Sequence, residues 1–213
     1  NIMTVEDPVE YDLAGISQVQ IHSRIDMTFA RALRALLRQD PDVVMIGEIR
    51  DLETAQIAIQ ASLTGHLVLA TVHTNDSVSA ITRLVDMGVE PFLLASSLIG
   101  VLAQRLVRQL CPHCKEPDPV HADAASEALG RPLRSRGCVQ CRGTGYAGRL
   151  GIYEWLGMDD RLRRLVHDAA GEHVLRDTAR EHGGLRLLQE DGQRWVRAGV
   201  TSVDELMRVA GDR

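Results

Sequence analysis

The sequence predicts an α/β fold, a parallel sheet covered by helices, followed by a small cysteine-rich segment and a C-terminal helical region. Three observations carry this. Short continuous apolar runs such as Val43–Ile46 alternate with amphipathic stretches of helical period, as strands buried on both faces do. Capping residues and glycines punctuate those stretches. All four cysteines fall in two C-x-x-C pairs within one segment rich in Gly, Pro and Arg.

The elements follow in order. NIMTV (1–5) is a short apolar strand closed by EDP. In MTFARALRALLRQ (27–39), Phe29, Leu33, Leu36 and Leu37 fall at offsets 0, 4, 7 and 8 and form one helix face. Asp26 can cap its start, and Pro41 marks its end. VVMIG (43–47) reads as a strand. Leu52–Gly65 reads as a helix with Asp51 as N-cap and Gly65 near its exit. LVLATV (67–72) is a further strand, and Ser77–Gly88 a helix that stops at Gly88. Pro91 to Leu110 is the most apolar helix-like run. Ser96, Ser97, Gly100, Gln104, Arg105 and Arg108 interrupt it, so it reads as a buried helix and not a membrane span. Residues 111–149 change texture and hold one helix-like patch, Ala122–Leu129. GIYEW (151–155) reads as a strand returning to the main body. Helical patterns follow at Arg161–His167, Glu172–Glu181, Leu185–Arg197 and Ser202–Val209. These textures divide the chain into residues 1–110, 111–149 and 150–213.

The totals narrow the function. At 213 residues, 45% apolar and 25% charged, the chain has globular composition and room for one ordinary domain plus something smaller. A net charge of −5 disfavours a general nucleic-acid binder, and two Trp, three Tyr and two Phe offer few stacking platforms for a zinc-ribbon reader of single strands. No signal peptide is visible. The chain starts at Asn1, inside a strand-like run and without Met, which fits a fragment of a longer protein.

The stretch DPDVVMIGEIRD (40–51) carries an acid, Glu48, to the end of an apolar strand. The carboxyl edge of an open α/β sheet is where ligands bind. Glu48 there could orient the water shell of Mg²⁺, or pair with Arg50 as a loop ion pair or capping charge. TVEDPVEY (4–11) likewise follows an apolar run and crowds Glu6, Asp7 and Glu10 around Pro8. Like charges so close raise one another's pKa, which suits a cation-bound or catalytic group; a solvated acidic turn is the alternative. In TGHLVLATVHTN (64–75), His66 opens a strand and His73 closes it, so His73 and Asn75 arrive at the same edge as Glu48. A histidine there can bond a phosphate or be an ordinary loop residue. Arg31, Arg34 and Arg38 form a basic helix face opposite the leucines, either solvated or touching an anionic partner. No G-x-x-x-x-G-K-[ST] loop is present to hold phosphates.

CPHC (111–114) and CVQC (138–141) are separated by 23 residues. Each knuckle aims two thiolates at one point, and two knuckles complete a tetrahedral site, so Cys111, Cys114, Cys138 and Cys141 read as ligands of a structural Zn²⁺, with a redox pair, disulfides or an iron–sulfur cluster as the alternatives. His113 could compete, though four thiolates suffice. Four protein ligands leave no open position for substrate. The same pairing argues for a reducing compartment and against disulfides.

TVEDPVEY, the block from Arg34 to Asn75 and the paired cysteines together resemble the secretion ATPase superfamily, in its type II secretion and type IV pilus assembly branch. The resemblance spans essentially the whole chain. It implies a partial RecA-like P-loop ATPase core, a zinc-binding tetracysteine insert and a C-terminal helical region. It further implies a cytoplasmic homo-hexamer that hydrolyses ATP with Mg²⁺, is recruited to the inner membrane by a secretion platform protein, and drives pseudopilus assembly and protein export. Residue by residue, Glu10 matches the Asp-box glutamate that polarises the attacking water. Glu48 matches the Walker B glutamate acting through Mg²⁺, with Glu6 and Asp7 beside that cofactor. His73, with His66, matches the His box facing the γ-phosphate. Gly47 stands where many other P-loop ATPases carry aspartate, a departure the family shares. The family's P-loop is expected upstream of Asn1. Pilus retraction ATPases generally lack the tetracysteine segment, which counts against a retraction motor. A type IV pilus assembly ATPase, or a non-catalytic oligomerisation and docking module in the isolated chain, are the alternative readings.

Overall fold

A computed structural model of the chain describes residues 1–121 and 130–211, so the helix-like patch at Ala122–Leu129 lies outside the described residues. The chain forms two compact units. The first holds residues 1–99 and 158–179, the second residues 100–157 and 180–213. The unit boundaries therefore fall elsewhere than the texture changes at 110 and 149.

The first unit is built on a four-stranded parallel sheet of order β2-β1-β3-β4: β1 (Ile2–Glu6), β2 (Ser17–Gln20), β3 (Val43–Ile46) and β4 (Leu67–Ala70). Parallel pairing requires crossovers: α1 (Phe29–Leu36) lies in the one from β2 to β3 and α2 (Leu52–Leu63) in the one from β3 to β4, while an irregular segment, 7–16, joins β1 to β2. Val5, Val44 and Ile46 are fully buried, as a sheet covered by helices demands. From α1, Ala32, Leu33 and Leu36 turn into this core, and from α2, Ala55, Ala58 and Ala61. α3 (Ser77–Asp86) adds Val78 and Ile81; α4 (Pro91–Ser97) and α5 (Asp160–His167) pack on each other through Leu94, Leu162 and Val166. The first part of α6 (Glu172–His182) completes the unit.

Asp51 caps α2, accepting from the Thr54 amide at 2.8 Å, and Asp76 caps α3, accepting from the Ser79 amide at 2.8 Å. The cap of α1 is a correction. Thr28, not Asp26, accepts the Arg31 amide, while Asp26 stands at φ +59° with its carboxylate on the Arg31 guanidinium. A cap needs extended backbone, and Thr28 has it at φ −93°, ψ 165°.

The second unit corrects a larger expectation. Only Pro91–Ser97 of the apolar run is helical; Gly100–Leu110 is a strand, β5, paired antiparallel along its length with β8 (Tyr146–Gly157). The short strands β6 (Lys115–Pro117) and β7 (Leu133–Ser135) pair with each other. Val107 and Ile152 are fully buried on one face of the β5–β8 ribbon, beneath α7 (Leu188–Arg197) and α8 (Val203–Ala210), with Leu188, Val196, Val203 and Leu206 closing the core. Local periodicity cannot separate a short buried helix from a strand when the pairing partner lies 36 to 57 residues downstream. Under that core the Glu205 carboxylate is wholly buried and accepts from Arg108 Nη2 at 2.6 Å, from the Arg108 amide at 3.0 Å and from Arg208 Nε at 2.8 Å. Among the described residues no helix is long and apolar enough to cross a membrane.

Candidate functional site

Register assembles the site. Val5 pairs with Ile46 and Ile46 with Ala70, so β1, β3 and β4 end level. Glu6, the last residue of β1, and the residues that follow each strand, 7–10, 47–50 and 71–73, emerge together at the carboxyl edge. Glu10, Gly47, Glu48, Arg50, Thr71 and His73 from these segments line one cleft of about 440 Å³, together with Phe29 and Met45.

Glu48 is the most shielded acid there, its side chain 10% exposed. Oε2 lies 3.1 Å from His73 Nε2, and Oε1 lies 2.6 Å from Arg50 Nη2. The expected loop pair with Arg50 is therefore present, and it coexists with a histidine contact that links β3 to β4. Ladder-like bonds fix both loops: the Ile49 amide donates to the Thr71 carbonyl at 2.9 Å, and the Thr71 amide to Ile46. Gly47 has a steric reason. A Cβ there would meet the Val5 carbonyl oxygen at 3.1 Å and Glu6 Cα at 3.3 Å, both backbone atoms that no rotamer change can move. An aspartate at this position would push β1 away.

The three acids of the first loop part company. Glu6 is half-buried and turned back, accepting from Thr4 Oγ1 and, at 2.9 Å, from Gln18 Nε2. Asp7 and Glu10 are exposed and line the cleft. His66 is not brought to this edge. It precedes Leu67, at the opposite end of β4, where its Nδ1 lies 3.0 Å from the Ala61 carbonyl at the end of α2. Four strand residues put roughly 13 Å of sheet between the two ends.

Sequence reasoning passed over a polar link behind the His73 loop. Asp76, four residues on from Val72, accepts from Arg176 Nη2 of α6 at 3.0 Å, and Arg176 also holds Glu172 at 2.6 Å. Burial would push the Asp76 carboxyl up, but the Ser79 amide and hydroxyl and the Arg176 guanidinium outweigh it and hold it below the usual carboxylate range. An arginine one hundred residues away in sequence leaves no local signal. Arg31, Arg34 and Arg38 are engaged locally, by Asp26, Glu53 and the Arg34 carbonyl respectively.

In the second unit the four cysteine sulfurs lie within 4.8 Å of one another. Their shortest separations, 3.7 Å for Cys138–Cys141, 3.8 Å for Cys114–Cys141 and 3.9 Å for Cys111–Cys138, match the ~3.8 Å edge of a tetrahedron with Zn–S bonds of ~2.3 Å. Amides of Cys138 and Gly145 donate to the Cys141 sulfur at 3.2 and 3.1 Å. These bonds overcome burial and lower the Cys141 thiol to about 6, while burial and the three neighbouring thiols push Cys114 up to about 12. The knuckle amides that donate to the Cys141 sulfur are the outer bonds a thiolate-ligating site uses. His113 is exposed and lies outside the cluster.

A family model described as type II/IV secretion system protein matches residues 1–208. The chain is 64% identical over 212 residues to the type II secretion system protein HxcR of Pseudomonas aeruginosa, covering 100% of this chain and 43% of that protein. It is 58% identical over 217 residues to the type II secretion system ATPase E of Vibrio cholerae, covering 98% of this chain and 42% of that one. The chain thus spans less than half the length of the curated relatives it matches. Among solved structures it is similar to the pilus retraction motor PilT with bound ADP, at a TM-score of 0.71 and 26% identity over 99% of this chain and 52% of that one. It is also similar to the Legionella pneumophila ATPase DotB, at a TM-score of 0.68 and 21% identity over 99% of this chain and 52% of that one, a likeness of fold.

Proposed function

The chain belongs to the type II/IV secretion system protein family, and from that premise we propose that it carries the hydrolytic half of the ATP site of a type II secretion motor. The observation that carries this reading is the shielded Glu48 carboxylate bonded to His73 in a cleft also lined by Glu10. Phosphoryl transfer asks a protein for positioning and charge stabilisation more than for covalent chemistry. In this reading Glu48 orients the waters of Mg²⁺, Glu10 polarises the attacking water, and His73 faces the γ-phosphate and withdraws from Glu48 when nucleotide enters. Asp7 adds negative charge beside the cation, while Glu6 serves the loop. The phosphate-holding loop is not among these residues. The cysteine cluster holds Zn²⁺ as a structural staple.

At the level of the whole protein, the reading is a homo-hexamer acting at the cytoplasmic face of the inner membrane through a secretion platform protein, driving pseudopilus assembly and export. The names of the relatives favour type II secretion over pilus assembly. The ADP in the PilT structure supports a nucleotide as ligand. The test is Glu48→Gln in the full-length protein, the chain extended to the length of its relatives. ATP binding should persist while turnover falls by about 10²–10³; turnover near wild type overturns the assignment.

A further inference from the structure

The loop from Asp7 to Ile16 joins β1 to β2 without regular structure, yet it carries Glu10. Its backbone groups need partners other than a ladder. Two glutamines of β2 provide them. Gln18 Oε1 accepts from the Leu13 amide at 2.7 Å, and Gln18 Nε2 donates to the Tyr11 carbonyl at 3.0 Å and to Glu6 Oε1 at 2.9 Å. Gln20 Oε1 accepts from the Val9 amide at 3.2 Å.

Two of these bonds fall on the residues immediately before and after Glu10. Side chains two apart on a strand share a face, and the register Thr4 to Gln18 and Glu6 to Gln20 sets both beside the loop's exit from β1. We propose that Gln18 and Gln20 are positioning residues that hold Val9 and Tyr11 and thereby aim Glu10 into the cleft. The inference rests on Glu10 acting in hydrolysis. Gln18 must be an amide for the role: it gives hydrogen bonds to a carboxylate and a carbonyl while accepting one from an N–H, which neither Glu nor Lys can do. A glutamate at 18 keeps the size, repels Glu6 and loses both donated bonds.

The test measures steady-state ATP turnover of the full-length protein as Gln18→Glu, Gln20→Met and Glu10→Ala, singly and with each glutamine variant in the Glu10→Ala background. Gln18→Glu should lower kcat about tenfold with KM for ATP changed less than about twofold, since misplacement of a reacting group costs rate more than affinity. In the Glu10→Ala background the same change should alter turnover less than about twofold, because the glutamine acts only through Glu10. An equal loss in both backgrounds would assign Gln18 to general loop stability and overturn the inference, as would wild-type kcat in Gln18→Glu. If Gln18→Glu does not fold, Gln20→Met, which removes the bond from the Val9 amide, decides by the same pair of backgrounds. Unchanged turnover in Glu10→Ala would overturn the reading of Glu10 itself, and this inference with it. An impaired Glu10→Ala beside unimpaired glutamine variants sinks the inference alone.

Discussion

His73 Nε2 lies 3.1 Å from Glu48 Oε2, joining the ends of two adjacent parallel strands through side chains 25 residues apart. The imidazole is 85% exposed and the carboxylate 10%. The histidine therefore can leave for a ligand without unpacking anything, whereas the carboxylate stays where β3 puts it.

This asymmetry separates the two histidines of the block. In the full-length protein His73→Ala should lower turnover by about 10²-fold, as expected for loss of one positioned polar group at a reacting phosphate. His66→Ala should act on stability instead, by about 1 kcal/mol, since its bonds are to Thr64 and Ala61 at the end of α2. Turnover assays with urea unfolding of both variants check this. Equal loss of turnover would return His66 to the site.

Gly47→Ala should destabilise the first unit by about 1–3 kcal/mol, the usual range for overpacking against atoms that cannot rotate away. The added methyl carbon would stand 3.1 Å from the Val5 carbonyl oxygen. A lower urea midpoint with unchanged slope is expected; an unchanged midpoint would mean β1 yields without cost.

Metal analysis of the purified chain should find about one zinc per chain, held by thiolates. Removing it with a chelator, or substituting Cys141→Ser, should cost the second unit about 3 kcal/mol or more, because binding energy of structural zinc is folding energy. Thermal unfolding with and without chelator reads this directly, and a chain that contains no zinc ends the claim.

The buried acid under β5 predicts a pH dependence. Burial pushes Glu205 up, but the bonds from Arg208 and Arg108 prevail and bring it to about 2, against an ordinary value of 4.5. A carboxyl depressed on folding stabilises the protein above its unfolded pKa, and that stability is lost as pH falls from about 4.5 toward 2. The effect is worth about 3 kcal/mol in full. Glu205→Gln should remove most of this slope between pH 5 and 3 in urea titrations, and an unaltered slope would assign it to other acids.

The sequence by itself determined whatever is written within one element. Continuous runs at 1–5, 43–47 and 67–72 were legible as strands from their unbroken apolar character, which burial explains for Val5, Val44 and Ile46 but not for β4, where Leu67 and Leu69 are exposed. Asp51 was legible as a cap because capping is decided within three residues, and the cysteine cluster because each C-x-x-C knuckle sets two thiols side by side within four residues. Glu48, Glu10 and His73 were legible as strand-end groups for the same reason of local position. What only the tertiary structure decided depends on partners far along the chain. Gly100–Leu110 carries apolar residues that serve a helix or a strand equally, and β8 settled it; the Trp155 ring lying over Gly100 is part of that settlement. His66 and His73 share one strand and one motif, yet a strand has two ends, and only the sheet's register says which end meets Glu48. Gln18, Gln20 and Arg176 look like ordinary surface polar residues in sequence. Their partners are backbone groups and carboxylates that come within 3.2 Å only once parallel strands and helices have docked, because hydrogen bonds are short-ranged and chain separation carries no information about them.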